Sequence, residues 1–205
     1  MEETNKPDVY HTMGCMISIL ETAKQKNHKN TALLAALRNS VGKPLPKARE
    51  VWPFLFEHLP ERFLSRTAKP TCEENSIFTA LQIYAICEQG TSHCTQCDEK
   101  YCGSMGKSLA AGRSSDVEKN KGLDRRFNAM ITASTYEEFV YHLRQMVRIV
   151  RSKETMTINF SKLAEDLYWY QKNGQDEVCF HWATDYYARI NEDIVENNRE
   201  EKTHE

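Results

Sequence analysis

The chain has 205 residues, with 27 Lys and Arg against 29 Asp and Glu for a formal net charge of −2, and 40% of its residues are hydrophobic, 27% charged and 10% aromatic. That length admits one or two domains with a buried core, and so even a composition excludes collagen, a continuous coiled coil and wholesale disorder. No apolar run reaches the roughly 18 residues of a membrane span, and the N-terminus lacks a basic-then-apolar leader, so a soluble, cytoplasmic protein with no membrane association is expected.

Apolar residues recur at three- and four-residue spacing over 9–23 and 31–37, which predicts two amphipathic helices. Gly42-Lys-Pro44 breaks the chain, and 48–59 predicts a third helix that Pro53 ends or kinks. After Pro60 and Lys69-Pro70, Thr71-Cys-Glu-Glu74 has the Thr-x-x-Glu form of a capping box and opens a helix whose apolar stretch is 77–86. Residues 90–122 are polar and rich in Gly and Ser, which predicts a long loop with one short helix near 104–111. Further helices are predicted at 127–131, at 139–150 behind a second capping signal, Thr135-Tyr-Glu-Glu138, at 163–170 and at 178–190. The 155–160 stretch reads either as a short strand or as a capped entry into the next helix. The expected fold is therefore all-α, a helical bundle in two helical groups, 1–90 and 123–195, joined by the polar loop region 91–122 and followed by a disordered tail, 196–205.

The near-zero net charge conceals a segregation along the chain. Residues 24–69 hold ten basic against three acidic residues and 100–153 hold eleven against five, whereas 154–205 hold twelve acidic against five basic. Such asymmetry is a footprint of a polyanion-binding surface, with solvated charge runs as the competing explanation.

The helix over 135–151 is the most informative element. At about 100° per residue, Phe139, Leu143, Met146 and Val150 share one sector, and Arg144, Arg148 and Arg151 fall within about 60° of one another on the opposite side. At ~1.5 Å rise per residue the arginine stripe is about 10 Å long, enough to follow successive phosphates of a strand. The planar guanidinium fork suits bidentate phosphate contact. A solvated face with intrahelical ion pairs is the alternative, but neither Glu137 nor Glu138 stands four residues from an arginine. A second cationic group comprises Lys119, Lys121, Arg125 and Arg126, with Lys107 and Arg113 upstream. A third, Arg38, Lys43, Lys47 and Arg49, sits at a helix end and in the loop after it, where the helix dipole alone is a sufficient explanation. Neither a P-loop nor a Gly-x-Gly-x-x-Gly string is present, so nucleotide hydrolysis lacks a warrant.

Tyr168, Trp169, Tyr170, Phe180, Trp182, Tyr186 and Tyr187 are of a kind that stacks bases, yet their helical spacing in the most acidic part of the chain reads as core or subunit interface. Cys179 and His181 stand two residues apart, on diverging sides of a helix, and no catalytic constellation is expected. Seven cysteines without a secretory leader are expected as reduced thiols. His93, Cys94, Cys97 and Cys102 are candidate zinc ligands within one loop, weighed against free loop thiols.

Several strings together resemble one family: Ala36-Leu-Arg38-Asn-Ser-Val-Gly42, residues 46–55, Thr71-Cys-Glu-Glu74 through Tyr84-Ala85, Ser104-Met-Gly-Lys-Ser-Leu109, Arg125-Arg-Phe127, Leu143-Arg-Gln-Met-Val-Arg148, Asp166-Leu-Tyr-Trp-Tyr170 and Trp182-Ala-Thr-Asp185-Tyr-Tyr187. Their order and spacing over about residues 32–188 resemble CasB, the small subunit of the type I-E CRISPR surveillance complex Cascade. The resemblance implies an all-helical, non-enzymatic subunit that is a dimer within the complex. It implies other Cascade subunits and crRNA as partners, with contacts from basic residues to target and displaced DNA strands during antiviral defence. It places Arg38, Lys107, Arg125, Arg126, Arg144 and Arg148 at basic positions of the family pattern, whereas Lys43, Lys47, Arg113 and Arg151 rest on charge alone. Cys87-Glu88 and the cysteine cluster depart from the pattern. The expected role is stabilisation of the R-loop without catalysis or cofactor; the alternative is a zinc-stabilised helical protein-protein adaptor.

Overall fold

The computed structural model describes residues 8–25, 30–89, 96–97, 103–153 and 156–202, with backbone alone at 24–25, 30–31 and 189–202. Regular structure among them is helical: α1 (Val9–Gln25), α2 (Asn30–Ser40), α3 (Trp52–His58), α4 (Cys72–Cys87), α5 (Met105–Ala110), α6 (Val117–Ile131), α7 (Tyr136–Val150), α8 (Phe160–Gln171) and α9 (Gln175–Lys202), with 3₁₀ turns at Leu45–Lys47, Arg49–Val51 and Glu61–Phe63. One isolated parallel bridge joins Gln96 to Ile158, and α8 begins at Phe160 directly after it. The fold is all-α. No helix among the described residues is long and apolar enough to cross a membrane.

The chain divides into two compact units, but not in sequence order. One unit is Met1–Gln89 with Phe160–Asn173, and the other is Gly90–Asn159 with Gly174–Glu205. Helix α8, expected in the second group, thus belongs to the first. The expected tail is also different in the backbone, which stays helical to Lys202.

In the first unit, α4 is apolar on every side, with Ile77, Phe78, Ala80, Leu81, Ile83, Tyr84 and Ala85 all buried. A helix of that kind needs cover all round, and α2 and α8 pack on it. Helix α1 presents Val9, Met13, Met16, Ile17 and Leu20 at the spacing of one helical face, all buried, and packs on α8. Tyr84 binds both neighbours, its hydroxyl donating to Glu21 at 2.7 Å and its ring meeting Phe160 edge-on at 5.2 Å.

The Thr71 capping box is fully formed: Glu74 N–H donates to Thr71 Oγ1 at 3.1 Å, and Glu74 Oε2 accepts from Thr71 N–H at 2.7 Å. Thr71 Oγ1 also donates to the Phe63 carbonyl at 2.8 Å, tying the cap to the preceding turn. Substituting Thr71→Ala is expected to cost about 1–2 kcal/mol, lowering Tm by roughly 2–8 °C in a thermal melt. Pro53 neither ends nor kinks a helix: it lies in the first turn of α3, where a missing N–H costs nothing, and two 3₁₀ turns take up the chain before it.

In the second unit, α6 and α7 pack together, and α5 packs on α9 and α7. Phe127 of α6 stacks on Tyr186 of α9 at 3.8 Å and 3°, and Phe139 of α7 meets Trp182 at 5.4 Å. Helix α6 starts at Val117, well inside the expected loop, because Asp116 caps it by accepting from Glu118 N–H at 3.1 Å. Its first turns are polar, so periodicity alone registers only the stretch near Phe127.

Candidate nucleic-acid interface

Helix α7 is set by its cap. Glu138 N–H donates to Thr135 Oγ1 at 3.2 Å, while the Glu138 carboxylate takes Ser134 N–H at 3.0 Å instead of the Thr135 N–H, so the second capping signal forms by half. The apolar face is fully buried, with Phe139, Leu143, Met146, Val147 and Val150 at 0% exposure. Burial of that face fixes the helix rotation and turns the arginines outward: Arg148 is exposed, and Arg144 and Arg151 are half-buried. Arg151 is the C-cap residue, where a cation also complements the helix dipole.

Burial lowers the Arg144 pKa below its ordinary value; Tyr136 opposes that shift, and the like charge of Arg148 adds to it. Arginine remains protonated despite such shifts. Tyr141, to which periodicity assigns no role, lies in the same outward sector and is 56% exposed. The signal is present in the spacing, since Tyr141 projects about 20° from Arg148 and about 60° from Arg144.

Arg125 and Arg126 of α6 and Lys107 of α5 are exposed. Arg125 and Arg126, being consecutive, diverge by about 100° around the helix and do not share one face. Lys119 and Lys121 are paired along α6 with Asp116 at 3.3 Å and with Glu118, respectively. Arg113 corrects the expectation from charge. Its side chain is 5% exposed, its Nη2 pairs with Asp124 at 3.3 Å, and Nη1 donates to the Tyr186 carbonyl at 3.4 Å. Its guanidinium also lies 4.6 and 4.8 Å from the ring centres of Tyr186 and Tyr187. It is a core arginine that clamps α6 to α9, not a surface for phosphates. Burial and the hydrogen bond to Asp124 push the Tyr186 phenol well above its usual range, so it stays a donor.

In the first unit, Lys43 and Lys47 are exposed and line one cleft of about 220 Å³ together with Arg49 and Glu50. Gln82 shapes that loop by donating to the Ser40 carbonyl at 2.6 Å. Arg38 is half-buried, and its Nε donates to the Ala85 carbonyl at 3.4 Å, so it also holds α2 on α4.

Of the candidate zinc ligands, His93, Cys94 and Cys102 lie outside the described residues. Cys97 is disulfide-bonded, which withdraws its thiolate from a metal-ligand set and corrects the expectation of a reduced thiol there. Cys15, Cys72, Cys87 and Cys179 form no disulfide. Burial first, then the charge of Asp176, pushes the Cys179 thiol up to about 11, the opposite of an activated nucleophile. The C-terminal aromatics divide: Tyr168, Tyr170, Trp182 and Tyr186 are buried, whereas Trp169 is 37% and Phe180 76% exposed.

The chain is thus an all-helical protein of two units that carries an arginine face on a capped helix. The profile of the CRISPR-associated protein Cse2 family matches residues 33–187, most of the chain, and the chain belongs to that family. Solved structures agree on the fold. CasB from Thermobifida fusca is 23% identical with a TM-score of 0.69, covering 88% of this chain and 98% of its own. CasB from M. ruber is 20% identical with a TM-score of 0.65, covering 90% and 97%. The Cse2-family CRISPR-associated protein from Thermus thermophilus is 20% identical with a TM-score of 0.61, covering 86% and 97%. No curated protein sequence matches the chain.

Proposed function

We propose that this chain is the non-catalytic small subunit of a type I-E Cascade complex, in which it assembles with the other subunits and crRNA, pairs with a second copy of itself, and holds DNA strands by their phosphates. The observation that carries the proposal is the α7 face: Arg144, Arg148 and Arg151 lie on the side opposite a fully buried apolar face, with Arg148 exposed, in a Cse2-family chain. The exposed Arg125, Arg126 and Lys107 extend the same chemistry over the second unit, and Lys43 and Lys47 repeat it in the first. In guide-directed complexes base pairing reads the sequence, and protein contacts to the strand backbones tip a nearly balanced strand exchange. A small subunit of this kind lowers the free energy of the R-loop by neutralising phosphates of the displaced and target strands.

Titration of the full chain with end-labelled single-stranded DNA, single-stranded RNA and duplex DNA of scrambled sequence is the direct test, read by fluorescence anisotropy over a salt series. Affinity is expected to be indifferent to sequence and to fall linearly in log Kd against log salt, by about 0.7 per neutralised phosphate on a single strand. Binding that ignores salt, or no binding at low salt, rejects the proposal for the chain itself.

A further inference from the structure

We propose that Tyr141 is a base-stacking platform, so that the α7 face grips a single strand by one unpaired base as well as by its phosphates. The inference rests on the proposed nucleic-acid binding and adds the form of the strand. Tyr141 is 56% exposed in the middle of the outward sector of α7, although large aromatic side chains gain most from burial. Among the described residues its hydroxyl has no hydrogen-bond partner, and its ring is braced edge-to-face by His142, with centroids 5.3 Å apart at 74°.

The charges beside Tyr141 say what that partner is. Arg144 stands one turn along the helix in the C-terminal direction and Arg148 two turns, at about 4.5 and 10.5 Å of axial rise. In the other direction Glu137 is exposed one turn away, and Glu138 is exposed beside it. Phosphates are therefore drawn to the arginine end and repelled from the glutamate end. The place at Tyr141, where the sign changes, suits a neutral planar group joined to those phosphates, which is a nucleobase. Every base has a π-face, so the contact is blind to sequence, and a duplex withholds it because its bases are already stacked.

The test uses the full chain with four end-labelled probes of equal length: oligothymidylate, oligouridylate, a strand carrying abasic residues, and duplex DNA. Tyr141→Ala is expected to weaken binding to oligothymidylate and oligouridylate roughly five- to hundredfold. Affinity for the abasic strand and the duplex, and the slope of affinity against salt, are expected to stay unchanged, because tyrosine releases no counterion. Tyr141→Phe is expected to retain wild-type affinity, which separates the ring from the hydroxyl, and the tighter of the two oligonucleotides identifies a DNA or an RNA strand as the natural partner. An equal loss on all four probes, or no loss on any while the wild type binds, overturns the stacking role and leaves phosphate binding intact. A wild-type chain that binds none of the probes at low salt overturns both.

Discussion

Replacing Arg125 and Arg148 together with glutamate is expected to weaken single-strand binding a hundredfold or more while lowering the thermal melt by only about 2–6 °C. Both side chains are exposed, one on each of two helices that pack together. Exposed substitutions away from caps and cores stay within about 0.5 kcal/mol of neutral, and the carboxylate at 148, in the last turn of α7, adds about 0.3–1 kcal/mol against the helix dipole. On the binding side, each charge-assisted hydrogen bond to a phosphate contributes about 1.5–3 kcal/mol, so two lost contacts exceed a hundredfold in affinity at about 1.4 kcal/mol per factor of ten. The salt dependence supplies an independent reading, because two fewer neutralised phosphates reduce the slope on a single strand by about 1.4. Arg144 is a poorer probe: it is half-buried, and a carboxylate there adds a folding cost to the binding loss. A folded Arg125→Glu, Arg148→Glu variant that keeps both its affinity and its salt slope would remove these two arginines from the interface.

The parts of the fold legible in the sequence are those decided within one or two turns of chain. Thr71 and Glu74 cap α4 because a hydroxyl and a carboxylate three residues apart reach each other's backbone N–H, whatever the rest of the molecule does. The arginine face of α7 follows from the rotation that buries Phe139, Leu143, Met146 and Val150. What the sequence hides is decided by partners far along the chain. Arg113 and Arg148 are the same residue type in equally basic surroundings, but Arg113 is drawn into the core by Asp124, Tyr186 and Tyr187, up to 74 positions away. Helix α8 joins the first unit because the all-round apolar α4 needs a second cover, a demand that local periodicity in α8 does not express. Phe180 and Tyr186 look alike as aromatic residues of one helix, yet one is 76% exposed and the other fully buried. Tyr141 is legible in the spacing, since it projects into the arginine sector, but a large aromatic side chain there is read as surface only once its 56% exposure is measured.

Two helical glycines of the second unit should respond to alanine with opposite signs. Gly122 lies in α6 with nothing within 4 Å of where a Cβ would stand, so Gly122→Ala is expected to stabilise by about 0.5–1 kcal/mol through helix propensity alone. Gly106 lies in α5 where a Cβ would stand 1.9 Å from the Trp182 carbonyl oxygen, 2.7 Å from its carbonyl carbon and 2.8 Å from its Cα. Those are backbone atoms about two turns into α9, beside a Trp182 side chain that is fully buried, so no rotamer change makes room. Helix α5 has to lift away, and the contacts that register it on α9 go with it: Ser104 N–H donates to Asp185 at 3.1 Å, and Ser104 Oγ caps the helix by accepting from Gly106 N–H at 3.1 Å. Overpacking of this kind costs about 3 kcal/mol, which outweighs the propensity gain and lowers Tm by roughly 6–12 °C. Parallel melts of the two variants decide it: a Gly106→Ala chain that melts at or above the wild type would mean that α5 does not pack on the α9 backbone as described. Since α5 also carries Lys107, the same displacement is expected to move one exposed cation of the proposed interface, whereas Gly122→Ala leaves every one in place.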